Sequence, residues 1–225
     1  MPYSQFTIPR VVEDFGLTLI ESGAFLNATQ TISLSSYLEE FITKNLQLAV
    51  ALNTEKARSE LIICPVLLAI KETLPGISFF SGEEFNVDVD LGLNGVCDYI
   101  FSQSAEQLYV TAPVTMVVEA KKENLKGGLG QCIAEMVAAW KFNTERNNAI
   151  SCVYGVVTTG TVWRFLKLQE QTVTIDLNEY PLPPINSILA KLTQMMFPQP
   201  MDSSRISKND LEDIHANIEI ALLTP

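Results

Sequence analysis

The sequence predicts an α/β protein in which helices cover the faces of a mixed β-sheet. Apolar residues recur with helical spacing between Ser35 and about Leu74, and again between Leu129 and about Arg146. The segments between and after these helices either alternate apolar and polar residues or are rich in β-branched residues. Residues typical of turns separate them, which indicates strands. Because 47% of the 225 residues are hydrophobic, we expect one domain, residues 1–225, with a large core.

The first 52 residues are expected to form helices. Residues from Pro9 to Ser22 are interpreted as a short helix. A second helix is expected to begin near Ser35 or Ser36, since either residue is a good N-cap. Its apolar positions follow with helical spacing: Leu38, Phe41, Ile42, Leu46 and Val50.

The next helix opens the predicted core, which spans residues 53–168. Asn53 or Thr54 can cap this helix, and it is expected to end before Pro75-Gly76. Its centre, residues 61–70, is apolar on every side, so the helix is expected to be buried. Pro65 should kink it or separate two helices.

Three meandering strands are predicted to follow. Phe85 to Leu91 alternates apolar and polar residues, which indicates a strand with one solvent-facing side. Asn94-Gly95 is a strong hairpin signal, because both residues tolerate positive φ, and Val96 to Phe101 is the expected returning strand. The third strand is Val114 to Ala120, after a loop that could carry a short strand at residues 108–110.

The rest of the chain continues the pattern. A polar loop over residues 121–128 is predicted to lead into the helix that begins at Leu129. Further strands are predicted over residues 151–158, 162–168 and 172–177. A C-terminal extension, residues 181–225, is expected to contain two helices, Ile185–Phe197 and Ser207–Leu222.

The composition excludes several classes of protein. No apolar run reaches the roughly 18 residues that a membrane span needs, so we expect no membrane contact. The segment MPYSQFTIPR lacks the pattern of a secretory signal, and a cytoplasmic location is expected. One His and four dispersed cysteines do not match a common zinc site. The cysteines are expected to be reduced core residues: Cys64, Cys97, Cys132 and Cys152.

The charge is unevenly distributed. The chain has a net charge of −11, which argues against binding nucleic acid through overall charge. Between Thr115 and Glu170, seven Lys/Arg and five Asp/Glu give a net charge of +2, whereas the rest of the chain carries −13. A polyanion could therefore dock only at this middle region; a solvated surface of mixed charge is the alternative.

The residues most suited to catalysis lie at and near the end of the third predicted strand. Glu119 and Lys121 share one face of that strand, because side chains alternate. Asp98 lies on the strand expected to pair with it, where its carboxylate could approach that of Glu119. Two carboxylates can hold one divalent cation, with water and phosphate completing its shell. The Lys121 ammonium could orient the attacking water, and a lowered pKa would help it accept a proton.

The spacing Glu-x-Lys alone is common, and a solvated surface pair is the alternative interpretation. The surrounding segments are more specific: Gly95-Val96-Cys97-Asp98-Tyr99, Val117-Val118-Glu119-Ala120-Lys121-Lys122, and Gly128-Leu129-Gly130-Gln131-Cys132-Ile133-Ala134-Glu135-Met136. Together with the predicted α-β-β-β-α-β order, they resemble the PD-(D/E)XK phosphodiesterase superfamily. The likeness extends to the N-terminal nuclease domains of restriction-enzyme motor subunits and to small bacterial relatives. Cys97 stands where the family name has a proline.

The resemblance implies a restriction-endonuclease-like three-layer sandwich with a mixed central sheet, helices on both faces and additional terminal helices. It implies Asp98 and Glu119 as ligands of Mg²⁺ or Mn²⁺, Lys121 as the catalytic lysine and Gln131 as an accessory residue. Some members also carry an acid on the first core helix. Glu60 or Glu55 could supply it, and Glu60 is preferred because it adjoins the buried apolar run.

Gly127-Gly128-Leu129-Gly130 precedes the predicted helix and is interpreted either as a flexible loop that touches the substrate backbone or as a simple turn. It lacks the Lys-Ser/Thr of a P-loop.

Two functions follow as hypotheses. The first is a nuclease that hydrolyses phosphodiester bonds of nucleic acid, DNA rather than RNA, with Asp98, Glu119 and Lys121 at its centre. The second is a catalytically silent nuclease-like module that acts as a binding or regulatory subunit. The net charge of −11 and the lack of a recognisable DNA-reading domain motivate it. A partner protein could supply target recognition, or the final helices could form a homodimer.

Overall fold

The structure, a computed structural model, describes residues 2–26, 35–148 and 150–196. The helices of this part are α1 (Ile8–Phe15), α2 (Ser36–Leu52), α3 (Glu55–Arg58), α4 (Cys64–Thr73), α5 (Leu125–Glu145) and α6 (Ile185–Met196). The strands are β1 (Thr18–Ser22), β2 (Ser78–Glu84), β3 (Val96–Ser102), β4 (Val114–Ala120), β5 (Val153–Thr158), β6 (Val162–Gln169), β7 (Thr172–Asp176) and β8 (Tyr180–Pro181).

The strands form one mixed eight-stranded sheet with the order β1-β7-β6-β5-β4-β3-β2, and β8 pairs with β6. The pairs β2–β3, β3–β4, β5–β6, β6–β7 and β6–β8 are antiparallel. The pairs β4–β5 and β1–β7 are parallel. Every residue of β4 and β5 is buried, as expected of central strands. The predicted α/β class with a mixed sheet is therefore confirmed.

Two apolar clusters lie on opposite sides of this sheet. Val118 and Ala120 of β4 belong to the cluster formed with α2, α4 and α6. Val117 belongs to the cluster formed with α1 and α5. Helices thus cover both faces, and the alternation along β4 directs Glu119 toward the α5 side.

The segment Thr18–Ser22 differs from the sequence prediction, because it is strand β1 and not the end of a helix. Gly16 ends α1 in the left-handed conformation, with φ +60°. The following residues then pair in parallel with β7, more than 150 positions away. Apart from Gly16, which indicates the end of the helix, no local sequence pattern predicts a pairing between segments so far apart in the chain.

The predicted strand from Phe85 to Leu91 is also wrong. The strand that pairs with β3 lies earlier, at β2. The connection contains a tight turn, closed by backbone hydrogen bonds between Asp88 and Leu93. Its polar residues serve this turn: the Asn86 side chain accepts a hydrogen bond from Gly95 N at 2.9 Å, and that of Asp88 accepts one from Leu91 N at 3.1 Å.

The helices before the sheet mostly follow the prediction. Ser35 caps α2 by accepting a hydrogen bond from Leu38 N, and Thr54 caps α3 by accepting one from Ala57 N. Between α3 and α4 lies a π-helical turn, Ser59–Ile63. It precedes Pro65, where the sequence predicted a kink.

Helix α5 begins at Leu125, four residues earlier than predicted, because the Asn124 side chain caps it by accepting a hydrogen bond from Gly127 N. No strand forms at residues 108–110. The first predicted C-terminal helix is α6, whereas Ser207–Leu222 lies outside the described residues.

The four cysteines are free, as predicted, and only Cys64 is partly exposed. Within the described ranges, none of the helices combines the length and apolar character that crossing a bilayer would need.

Candidate active site

Asp98, Glu119 and Lys121 meet where β3 and β4 run side by side. Asp98 immediately precedes the Tyr99–Val118 pair of the β3–β4 ladder. Its Oδ2 accepts a hydrogen bond from the backbone N–H of Ala120 at 2.7 Å. The backbone N–H of Lys121 donates to the carbonyl of Thr158 at the end of β5, at 2.8 Å. The central sheet therefore fixes the backbone on which all three side chains stand.

Gln131 of α5 joins this group. Lys121 Nζ forms an ion pair with Glu119 Oε1 and also donates to Gln131 Oε1 at 3.4 Å. Gln131 Nε2 donates to Glu119 Oε2 at 2.8 Å. Glu119, Lys121 and Gln131 thus form a closed triangle of hydrogen bonds beside Asp98, so the structure brings together four of the residues singled out in the sequence.

One further site residue, Glu135, was missed by the sequence analysis. Gln131 Nε2 donates to Glu135 Oε1 at 3.1 Å. The Glu135 side chain is wholly buried, and its Oε2 has no hydrogen-bond partner within the described ranges. A signal did exist, because Gln131 and Glu135 stand four positions apart in a helical stretch whose other residues, 132–140, are apolar, and they must share one face.

The site concentrates negative charge in a buried environment. Burial, together with the nearby charge of Asp98, raises the pKa of Glu119 to about 8. Burial also raises the pKa of Asp98, although the hydrogen bond from Ala120 N opposes this effect. The pKa of Glu135 lies well above its usual range because the carboxyl is buried and faces the charge of Glu119. These carboxyl groups therefore favour protonation or a bound cation.

Lys121 differs from the sequence expectation. Burial lowers the pKa of its ammonium, but the charge and hydrogen bond of Glu119 outweigh burial, and the pKa of Lys121 is raised. The structure therefore does not show the lowered pKa that would help Lys121 accept a proton. Lys121 is a protonated ammonium suited to orient and neutralise a ligand.

An open cleft of about 520 Å³ reaches the site from the Asp98 side. Its walls come from α3, the π-helical turn and α4 on one side, and from β2, β3 and the end of β4 on the other: Glu55, Lys56, Ser59, Glu60, Cys64, Ser81, Gly82, Asp98, Tyr99 and Ala120. Glu119 is only 1% exposed and is not among the lining residues. A ligand in the cleft would reach Asp98 first.

Both candidate acids of the first core helix line this cleft, but they differ in what they influence. The charge of Glu55 contributes to raising the pKa of Glu119 and of Lys121. Glu60 pairs with Lys56 at 3.7 Å, and its side chain is 63% exposed. The charge of Glu55 thus reaches Glu119 and Lys121, whereas Glu60, the residue preferred from the sequence, stays a prediction as the accessory acid.

The glycine-rich segment is part of α5 and not a loop. A Cβ on Gly128 would lie 3.0 Å from Cε of Lys121 and 2.8 Å from Cγ1 of Val157. A Cβ on Gly130 would lie 2.6 Å from the backbone carbon of Thr7. Gly128 thus makes room for the catalytic lysine candidate, and Gly130 lets the N-terminal segment pack against α5.

The residues present fit a hard divalent cation of the Mg²⁺ type. Asp98 and Glu119 could supply carboxylate oxygens, and Lys121 is the one cationic side chain that contacts Glu119 in the described residues. Mg²⁺ is commonly held by one or two carboxylates together with water and substrate phosphate. No cluster of three or more His, Cys, Asp or Glu side chains able to hold a metal occurs in the described part of the chain. Water and phosphate would therefore have to complete the shell.

No model of a known protein family and no curated protein sequence matches this chain.

Proposed function

We propose that the chain is a metal-dependent phosphodiesterase of the PD-(D/E)XK type that hydrolyses nucleic acid, DNA rather than RNA. The observation that supports this most is the convergence of Asp98, Glu119, Lys121 and Gln131, of which Asp98 lines an open cleft. Each residue type suits the reaction: oxygen ligands for Mg²⁺ or Mn²⁺, a cation for the phosphate, and an amide that orients the cation.

In this proposal, Asp98 and Glu119 hold the metal. A bound Mg²⁺ or Mn²⁺ would make a coordinated water more acidic and offset negative charge on the phosphate. In the overall reaction the water oxygen bonds to phosphorus, the bond from phosphorus to the leaving sugar oxygen breaks, and the sugar oxygen takes a proton. The Lys121 ammonium would donate a hydrogen bond to a phosphate oxygen, which would stabilise charge in the transition state.

Three exposed basic residues support contact with a phosphate backbone. Lys56 lines the cleft, and its side chain is 83% exposed. Lys122, next to Lys121, has a half-exposed side chain, and Lys126 is exposed in the first turn of α5. These ammonium groups could each position a phosphate without reading sequence. Target recognition by a partner protein remains part of the proposal.

A second candidate function is a catalytically silent binding module. It is favoured by the state of Glu119, whose two carboxylate oxygens are both engaged by Lys121 and Gln131 and which is almost fully buried. The acids Glu55 and Glu60 also line the cleft and would repel phosphate. The two candidates differ in turnover, which can be measured.

The test is hydrolysis of labelled single-stranded DNA, double-stranded DNA and RNA in Mg²⁺ or Mn²⁺. We expect metal-dependent cleavage by the wild type and by the control Glu40→Gln, an exposed glutamate paired with Lys44 on α2. Asp98→Asn and Glu119→Gln should lower the rate at least about 100-fold, because each removes a charged ligand. Full activity in Glu119→Gln would contradict the nuclease proposal. Absence of cleavage by a wild type that still binds DNA would favour the silent module.

A further inference from the structure

Glu135 is a buried carboxyl whose presence is not explained by core packing. It lies on α5 with no exposed surface, and Oε2 lacks a hydrogen-bond partner in the described part of the chain. Burying a carboxyl with an unsatisfied oxygen costs free energy, whereas an apolar side chain of similar volume would fill the same space without that cost. This suggests a role in the polar network rather than in the core.

The hydrogen bonds of Gln131 show what that role is. An amide group has two different ends, a carbonyl that accepts and an NH₂ that donates two hydrogen bonds. Here the NH₂ group donates to Glu119 Oε2 and Glu135 Oε1, which directs the carbonyl to Lys121 Nζ. A flipped amide would face two carboxyl groups with its carbonyl oxygen and would face an ammonium with its NH₂ group. The Lys121 ammonium, which can only donate, therefore favours the observed orientation.

Glu119 alone does not fix the position of the Gln131 amide, because its carboxylate also interacts with other groups. Its other oxygen pairs with Lys121, and in the proposed function it also binds the metal. Glu135 has Gln131 as its one hydrogen-bond partner among the described residues, and both side chains project from the same rigid helix. Glu135 is thus the dedicated acceptor that keeps Gln131 in place.

We propose that Glu135 is a positioning residue: by accepting the second amide hydrogen of Gln131, it holds the Gln131 carbonyl against the Lys121 ammonium. The effect of Glu135 on the reaction rate rests on the proposed function, whereas the hydrogen bonds of Glu135 and Gln131 are independent of it. Without Glu135, Gln131 gains rotational freedom and Lys121 loses its second anchor.

Three variants separate this role from simple packing. Glu135→Gln keeps the shape and an acceptor oxygen for Gln131. Glu135→Met fills the same volume without an acceptor. Ile133→Val, at a fully buried position two residues earlier on α5, is the control for a small loss of core packing away from the amide.

The first readout is the side-chain amide of Gln131, observed by NMR on protein labelled with ¹⁵N-glutamine and assigned by its absence in Gln131→Met. In Glu135→Met, one amide proton should exchange with water roughly 5- to 10-fold faster than in the wild type, since one hydrogen bond is lost. Glu135→Gln and Ile133→Val should retain slow exchange of both protons. Unchanged exchange in Glu135→Met would overturn the proposal.

The second readout is kcat for DNA hydrolysis in Mn²⁺. We expect Glu135→Met to lose roughly 10- to 100-fold in kcat with little change in KM, and Glu135→Gln to restore most of the loss. An equal loss in both variants would overturn the acceptor role. If the wild type neither binds Mn²⁺ nor cleaves DNA, the proposed function fails, and the NMR comparison alone decides whether Glu135 positions Gln131.

Discussion

Gly128→Ala is a sharp test of how the chain positions Lys121. The added Cβ would lie 2.8 Å from Cγ1 of Val157, 3.0 Å from Cε of Lys121 and 3.1 Å from its Cγ. Carbon atoms pack best at roughly 3.5–4.0 Å, so the methyl group overlaps both neighbours. Val157 is fully buried in the central strand β5 and is β-branched, so it cannot move easily. The longer, partly exposed Lys121 side chain must move instead.

The expected magnitudes separate activity from stability. Replacing a glycine by alanine within a helix gains about 1 kcal/mol, whereas overpacking a core costs about 1–3 kcal/mol. The free energy of unfolding should therefore fall by no more than about 2 kcal/mol, and the variant should fold. A displaced Lys121 loses its 3.4 Å hydrogen bond to Gln131, and misplacing a reacting group by about 1 Å can lower kcat about 100-fold.

Gly130→Ala is the matched control. Its Cβ would meet the backbone of Phe6 and Thr7 and would not approach Lys121. We expect a larger loss of stability than in Gly128→Ala, because backbone cannot rotate away, but a near-normal kcat for the folded fraction. Urea unfolding and kcat at saturating DNA are measured for both variants. Wild-type kcat in Gly128→Ala, or equal kcat losses in the two variants, would refute this reasoning.

Three further predictions concern stability and reactivity. The pKa of Glu119 is raised from 4.5 to about 8 in the folded chain. Without metal, protonation of this carboxyl therefore contributes fully to the free energy of unfolding below pH 4.5, and the contribution should be lost as the pH rises from 4.5 through 8. The expected slope is roughly 1.4 kcal/mol per pH unit, and Glu119→Gln should reduce it in urea unfolding between pH 5 and 9. Arg58→Met should lower the free energy of unfolding by about 2–4 kcal/mol, because the buried guanidinium bonds Asn53 Oδ1 and the carbonyl of Thr159; a change below about 0.5 kcal/mol would contradict this. Under native conditions a thiol reagent should modify Cys64 first, since the other three cysteines are buried, and Cys64→Ser should remove that fast phase.

The central strands and three site residues could be predicted because their signals are local. Val114–Ala120 is apolar until charges appear abruptly at its end, which marks both a buried strand and a polar rim. Alternation then places Glu119 and Lys121 on one face, and the preceding strand brings Asp98 alongside. The helix caps at Ser35 and Thr54 depend on equally local chemistry.

The errors arise where distant contacts decide the structure. Strand β1 exists because β7 pairs with it. The alternation after Phe85 resembled a strand, but its Asn and Asp side chains hydrogen-bond to the turn backbone instead. The role of Gly128 depends on how closely Lys121 approaches α5, and that distance is set by the packing of α5 on the sheet.

The metal site is tested most directly by calorimetric titration of Mn²⁺ into the wild type, Asp98→Ala, Glu119→Ala and the control Glu40→Gln. The measurement is repeated with an uncleavable phosphorothioate DNA present, so that phosphate can complete the metal shell. We predict binding to the wild type and to Glu40→Gln, and no binding to either alanine variant. Wild-type affinity in Asp98→Ala or Glu119→Ala, or no binding to the wild type even with the DNA analogue, would contradict a metal centre built on these two carboxylates.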